Sequence, residues 1–397
     1  MTPLPRGFAF AGIPSGLRSE PGRRDLALIV SRTPAAAAGV FTLNRVCAAP
    51  VQVTRQRVPR PDARGIVICS GNANACTGKQ GVEDALRMAA VVAEELGCNP
   101  EQILVCSTGI IGRPLPMPTI EAGIRAAAKR LDDSETALAD VAHAILTTDT
   151  RPKTWHRTLQ LGANEIRLTG IAKGAAMIGP NLATMLGFVL TDAAVAPDHL
   201  QNILRRAADR SFNCISVEGH MSTNDTVLLL ANGRAAGAQP LAGPDLDAFA
   251  AAVEDVCIHL AREIANDAEG ISHLIVIDVE GTRTEEEARR VAKTIAESAL
   301  VKTAVFGADP NWGRIVSAAG YSGVDFREED LSLWLGDMLL YDRGMPQPFD
   351  AAAASAYLRN NREIRMKLVF TLGDARCRFW TCDLGYEYIR LNAEYTT

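Results

Sequence analysis

Three short stretches carry side chains suited to acyl chemistry. The first, KGAAMIGPNLATML from Lys173 to Leu186, sets a lysine, a loop broken by Gly179 and Pro180, and Thr184 at the head of an apolar strand. The Thr184 hydroxyl is a candidate nucleophile, although threonine in a strand is ordinarily structural because its β-branched side chain suits a pleated surface. The second is Ser107-Thr108-Gly109, small polar residues closing an apolar run. By residue type alone these make a turn in which glycine supplies permissive geometry. The third is Asp267-Ala268-Glu269-Gly270, in which Glu269, like Lys173, is by type a solvated surface charge.

Other chemistries find no support. Gly78-Lys79 is followed by Gln80, and Ala73 stands where a phosphate-binding loop needs glycine. There is no HExxH or CxxC pattern, and His143, His156, His199, His220, His259 and His273 lack metal-ligand spacing, so no metal is expected. A Ser-His-Asp triad is assembled only by folding and stays open, but no GxSxG elbow is present.

The elements around these stretches alternate. Strands are expected within residues 25–53, broken at Pro34 and Gly39, and again at 64–71, 102–112, 225–232 and 273–279. Further strands are expected to flank the Lys173–Thr184 loop. Helical spacing runs over 82–96, ended by Gly97, and over 118–131, 134–146, 198–210, 245–266 and 284–299, with mixed strands from there to the end. The expected fold is α+β, with mixed sheets flanked by helices. Residues 1–279, completed by the tail 376–397, would form a larger domain, and 280–375 a smaller α+β domain.

The chain has 397 residues, 47% hydrophobic and 22% charged, enough to bury a substantial core. A net charge of -5 with both signs scattered argues against nucleic acid or an anionic membrane as partner and for a small metabolite. Nine cysteines cannot all pair within one chain and read as reduced. No secretory leader or apolar run of about 18 residues is seen, so a cytoplasmic location is expected.

KGAAMIGPNLATML resembles the signature of the ornithine acetyltransferase family, the glutamate N-acetyltransferases of arginine biosynthesis. The resemblance continues in order through DLALIV, AAGVFTLNRV, SGNANACTGKQGVEDA (70–85), STGIIG (107–112), TTDTRPK (147–153), STNDTVLLLANG (222–233), LVKTAVFGADPNWGRI (300–315) and the ending RLNAEYTT. It implies a two-domain, self-processing acyltransferase of the N-terminal-nucleophile kind, cut between Ala183 and Thr184. Cleavage would free the Thr184 amine, whose reference pKa of about 7.7–8.0 lets it take the proton of its own hydroxyl.

The same resemblance implies that acetyl passes from N-acetylornithine to Thr184 and then to glutamate, by a ping-pong route. Thr108 and Gly109 match the oxyanion site, and Thr147, Lys173, Thr184, Glu269, Asn392 and Thr397 the substrate-binding positions; Thr148 is an alternative to Thr147. It implies no cofactor and leaves acetyl-CoA open as a second acetyl donor. The two fragments are expected to stay together as α2β2, with the chain end folded back to the site. Three places depart from the family's commoner residues: Ala268 where glycine is usual, Gly179, and His220-Met221. A positive φ at Ala268 would carry a strain cost. The alternative function is a self-processing aminopeptidase or amidase, with water as acyl acceptor.

Overall fold

The computed structural model describes residues 3–161, 164–179, 185–235 and 239–394. Ala183, Thr184 and Thr397 lie outside the described residues.

The first sheet holds β1 (Phe8–Ile13), β2 (Leu26–Phe41), β3 (Arg60–Asn72), β4 (Ile103–Ile110), β5 (Lys153–Leu161), β6 (Asn164–Lys173), β7 (Leu186–Thr191) and β8 (Thr226–Ala231). Its order is β4-β3-β2-β8-β7-β6-β5, with β1 paired to β2. The second holds β9 (Leu274–Thr282), β10 (Leu331–Leu335), β11 (Met338–Asp342), β12 (Met345–Pro346), β13 (Glu363–Phe370) and β14 (Ala375–Cys382), in the order β12-β11-β10-β13-β9-β14. The helices are α1 (Ala49–Arg55), α2 (Gly78–Leu96), α3 (Met117–Ala128), α4 (Glu135–Ala144), α5 (Pro197–Asp209), α6 (Gly243–Ala265), α7 (Glu285–Glu297), α8 (Ala299–Phe306), α9 (Trp312–Gly320), α10 (Ala351–Asn360) and α11 (Tyr386–Glu394).

Local chemistry sets several of these boundaries. Ser134 caps α4 by accepting from the Ala137 amide, and Thr284 caps α7 by accepting from that of Glu287. α2 stops at Gly97, whose φ of 62° is the left-handed end that glycine adopts freely.

Two expectations fail. Pro34 and Gly39 do not break the strand; β2 runs through both, and its register shifts between Val30 and Ala35. Proline lacks an amide for the ladder, so it sits at that irregularity. Before it β2 pairs with β1 and β3, and from Ala36 on with β8. The bulge therefore bends the sheet into two facing halves. Phe8, Phe10, Ile29, Ile66 and Leu104 on one half pack with Ile171, Phe188, Leu190 and Leu228 on the other in one buried cluster. The end of the chain is also not all strand: α10 and α11 are helical, and α11 carries Asn392.

Candidate active site

The two halves of the bent sheet meet at the ends of β4 and β6. Lys173, the last residue of β6, donates from Nζ to Thr108 Oγ1 at 3.3 Å, and both residues are buried. Because Thr108 accepts this bond with a lone pair, its own hydroxyl hydrogen is left to donate elsewhere. Gly109 follows with φ of 129°, and a Cβ there would lie 2.3 Å from the Gly71 carbonyl carbon. Only glycine permits this approach between the ends of β3 and β4.

Asp149 holds the lysine end together. Its Oδ1 accepts from Lys153 Nζ at 2.7 Å and the Gly174 amide at 2.6 Å, and its Oδ2 accepts from the Thr147 amide at 3.1 Å. Burial alone would raise its pKa; the charges of Lys173 and Lys153 more than offset this and push it down to about 2. Lys153 also meets Asp267 Oδ2 at 2.6 Å. Lys173 is lowered from the ordinary lysine value by burial, against the attraction of Asp149. The expectation of solvated charge is thus overturned for Lys173, which is 1% exposed.

The strand that begins after Thr184 is fixed just as closely. Met185 donates its amide to Asp225 Oδ1 at 2.9 Å, and its carbonyl accepts from the Thr226 amide at 3.2 Å. Asp225 is fully buried, which raises its pKa well above the ordinary carboxylate value. Its neighbour Asn224 donates to the carbonyls of Ala73 and Ser107, at 2.6 and 2.9 Å, clamping the loop after β3 to the end of β4.

On the N-terminal side of the junction, Met177 holds φ of 58°, uncommon for a residue bearing a side chain. Ile178 carbonyl accepts from the amides of Val217 and Gly219, at 2.7 and 3.2 Å. A Cβ on Gly179 would stand 2.6 Å from the Gly219 carbonyl carbon, so the close approach of these two segments requires glycine at 179.

Glu269 reaches the same loop through the backbone: its amide donates to the Ala175 carbonyl at 2.9 Å, and its Oε2 accepts from Asn392 Nδ2 at 3.0 Å. Ala268 carries no positive φ; that conformation falls at Gly270, φ 69°, where a Cβ would meet the Tyr388 amide nitrogen at 2.4 Å. The departure at 268 therefore costs no backbone strain. Among the described residues, Thr108, Thr147, Lys173, Glu269 and Asn392 reach the Lys173–Ala175 stretch by hydrogen bonds, directly or through Asp149 and Glu269, and Gly109 stands next to Thr108.

Sequence reasoning did not single out Asp149, Asp225 or Glu218. The first two sit inside the quoted blocks TTDTRPK and STNDTVLLLANG, which was the available signal. Glu218 had none. Burial raises its carboxyl to about 7, with nearby Glu269 adding to the effect and Lys302 opposing it. The amides of Ile178 and His220 face it, but neither oxygen completes a hydrogen bond among the described residues.

A buried threonine hydroxyl with a hydrogen to donate, a strand end that only glycine can form and a buried lysine thus come together at the ends of β4 and β6 in an α+β fold. The model of the ArgJ family matches residues 9–397. The arginine biosynthesis bifunctional protein ArgJ of Symbiobacterium thermophilum is 48% identical over 395 residues, spanning 99% of this chain and 98% of that one. That of Geobacter sulfurreducens is 44% identical over 393 residues, with 99% of each covered. A crystal structure of the Bacillus halodurans arginine biosynthesis bifunctional protein argJ is 40% identical, covers 52% of this chain and 98% of its own, and superposes with a TM-score of 0.51. The chain belongs to the ArgJ family, and is an acetyltransferase of arginine biosynthesis.

Proposed function

We propose that this chain moves acetyl from N2-acetyl-L-ornithine to L-glutamate through an acetyl ester on Thr184. The observation that carries the reading is the Lys173–Thr108 contact, which joins two sequence blocks 65 positions apart at one point. In the precursor, the Thr184 hydroxyl attacks the Ala183 carbonyl and the peptide C–N bond breaks, leaving an ester. That shift frees the Thr184 amine; water then hydrolyses the ester, releasing the Ala183 carboxylate and freeing the Thr184 hydroxyl. That amine takes the hydroxyl proton as Thr184 attacks the acetyl carbonyl of acetylornithine, and returns it to the departing ornithine nitrogen. The amino group of glutamate attacks the ester in turn.

Each attack places negative charge on a carbonyl oxygen. The Thr108 hydroxyl and the Gly109 amide are the proposed donors to it, and one such donor contributes about 3–4 kcal/mol. Thr147, Lys173, Glu269, Asn392 and Thr397 are the proposed substrate contacts, with Lys173 for a carboxylate and Glu269 for an ammonium. Acetyl-CoA is proposed as a second acetyl donor to the same threonine, with no resident cofactor. The fragments are proposed to remain paired as α2β2 in the cytoplasm; no helix among the described residues is long and apolar enough to cross a membrane. The division into a nucleophile-bearing unit, 1–279 with 376–397, and a smaller unit, 280–375, is likewise a proposal.

The test is mass analysis of the purified chain with acetylornithine. A fragment beginning at Thr184 that gains one acetyl group, and loses it to glutamate as acetylglutamate, is expected. Release of acetate alone, with glutamate ignored, would overturn the transferase reading in favour of an amidase. Acetylglutamate formed from glutamate and acetyl-CoA alone tests the second donor.

A further inference from the structure

Away from the site, the short turn Phe212–Cys214 runs beside β14. Ile215 bridges to Trp380, and the Ser216 amide donates to the Trp380 carbonyl at 3.1 Å, so the two backbones are fixed next to each other. There Cys214 Sγ and Cys377 Sγ lie 3.8 Å apart, both as free thiols. The two sulfurs are in van der Waals contact, against a bonding distance of about 2 Å. A cavity of about 490 Å³ touches both cysteines and is lined also by Arg210, Asp278, Arg289 and Trp380. It gives a small oxidant a way in.

We propose that Cys214 and Cys377 are a redox modification site, at which a hydroperoxide converts the thiol pair to a disulfide that fastens the 212–217 segment to β14. A hydrogen bond from Cys377 lowers the Cys214 thiol below its usual range, against the effect of burial, and the Arg289 guanidinium adds to the lowering. Cys377, holding the shared proton, is pushed up. Arg289 Nε is buried and completes no hydrogen bond among the described residues, and, against the effect of burial, the charges of Cys214 and Cys377 in turn raise its guanidinium's pKa. As a thiol, Cys214 instead donates to the Asp209 carbonyl at 3.2 Å. Asp209 acts on Cys214 and Glu285 on Cys377, and Arg210, Glu254, Asp278, Glu280, Arg376 and Arg378 line the same cavity.

The reaction balances without any group beyond the peroxide. The Cys214 thiolate attacks one peroxide oxygen, the O–O bond breaks, and the leaving oxygen takes a proton and departs as water or alcohol. Cys214 is then a sulfenic acid. The Cys377 sulfur attacks it, the S–O bond breaks, and the hydroxyl leaves with the Cys377 proton as water. Two thiols are oxidised by two electrons, and one peroxide is reduced.

Cys69, Cys106, Cys257 and Cys382 are buried, each raised by burial away from the reactive thiolate form. The bridge would lie wholly after the Ala183–Thr184 junction and so would not join the two fragments.

The experiment treats the full, purified protein with hydrogen peroxide, alkylates it after denaturation and maps its peptides. Seven of the nine cysteines alkylated, with Cys214 and Cys377 in one linked peptide that dithiothreitol separates, is the expected result. Cys377→Ser should keep acetyl transfer, lose the linked peptide, and accumulate a dimedone-reactive sulfenic acid on Cys214. Cys214→Ala should abolish both products. Alkylation of both Cys214 and Cys377 at a peroxide dose that oxidises exposed Cys76, or linkage between other cysteines, would overturn the proposal.

Discussion

Around Thr108 the first sheet buries Lys153 and Lys173, with Asp149 and Asp267 paired to Lys153, and Asp149 and Asp225 supplying opposite charge to Lys173. The second sheet fills its interior with Ile275, Ile277, Leu333, Met366, Leu368 and Phe379, and leaves ion pairs such as Lys367–Glu280, at 2.9 Å, near solvent. Apolar burial is favourable by itself. Buried charges are tolerated only where partners replace the water they lose, and removing one partner strands the other. The contrast implies that the first region gives up stability to hold chemical groups ready, while the second supplies stability.

The largest effect should come from Thr184→Ala. It is expected to leave the chain uncut on a denaturing gel and to lower kcat/KM by on the order of 10⁴–10⁶, the scale of nucleophile loss in covalent enzymes. A variant that still turns over at near the native rate would remove the centre of the comparison.

Asp149→Asn should cost about 3–5 kcal/mol in denaturant unfolding, because buried Lys153 loses an ion pair at 2.7 Å and buried Lys173 the opposite charge that acts on it most. The contrast between the regions would collapse if this variant unfolded like the native chain. Thr108→Val, by comparison, should lower kcat/KM about 10²–10³-fold, since a donor to the oxyanion is removed and the volume kept, with a smaller stability cost of about 1–3 kcal/mol from the acceptor that Lys173 loses. Steady-state kinetics beside a melting curve separates the two kinds of loss.

Glu218→Gln should be stabilising, in a pH-dependent way. The carboxyl has its folded pKa raised from 4.5 to about 7, so between these values the unfolded chain releases a proton that the folded one keeps. Native stability is therefore lost from this group as pH rises through that window, and the loss is constant above it. The glutamine variant should gain about 1–3 kcal/mol over the native chain at pH 8 and almost nothing at pH 4. A gain of equal size at both pH values would locate its cause outside this titration. The smallest effect belongs to the second sheet: Lys367→Gln should change unfolding free energy by less than about 1 kcal/mol, as for solvent-screened pairs.

Legibility followed the range of the interactions involved. Helix starts at Ser134 and Thr284 and the stop at Gly97 were readable because capping is settled within a turn or so. Passage of β2 through Pro34 was not, since it depends on which strands flank the proline. Ordered blocks exposed Thr108, Gly109, Lys173, Glu269 and Asn392 as a set, but gave no hint of the bonds joining them. Glu218 escaped notice entirely, because a glutamate becomes unusual only through what surrounds it.

The sequence by itself determined the family, the order of the blocks and the candidate nucleophile at Thr184, which are properties of residues read along the chain. Only the tertiary structure decided that Lys173 is buried against Thr108, that Asp225 holds Met185, and that Cys214 meets Cys377 across 163 positions. Each of these rests on desolvation and on contacts between distant segments, and neither exists until the bend in β2 and the packing of β14 have brought those segments together.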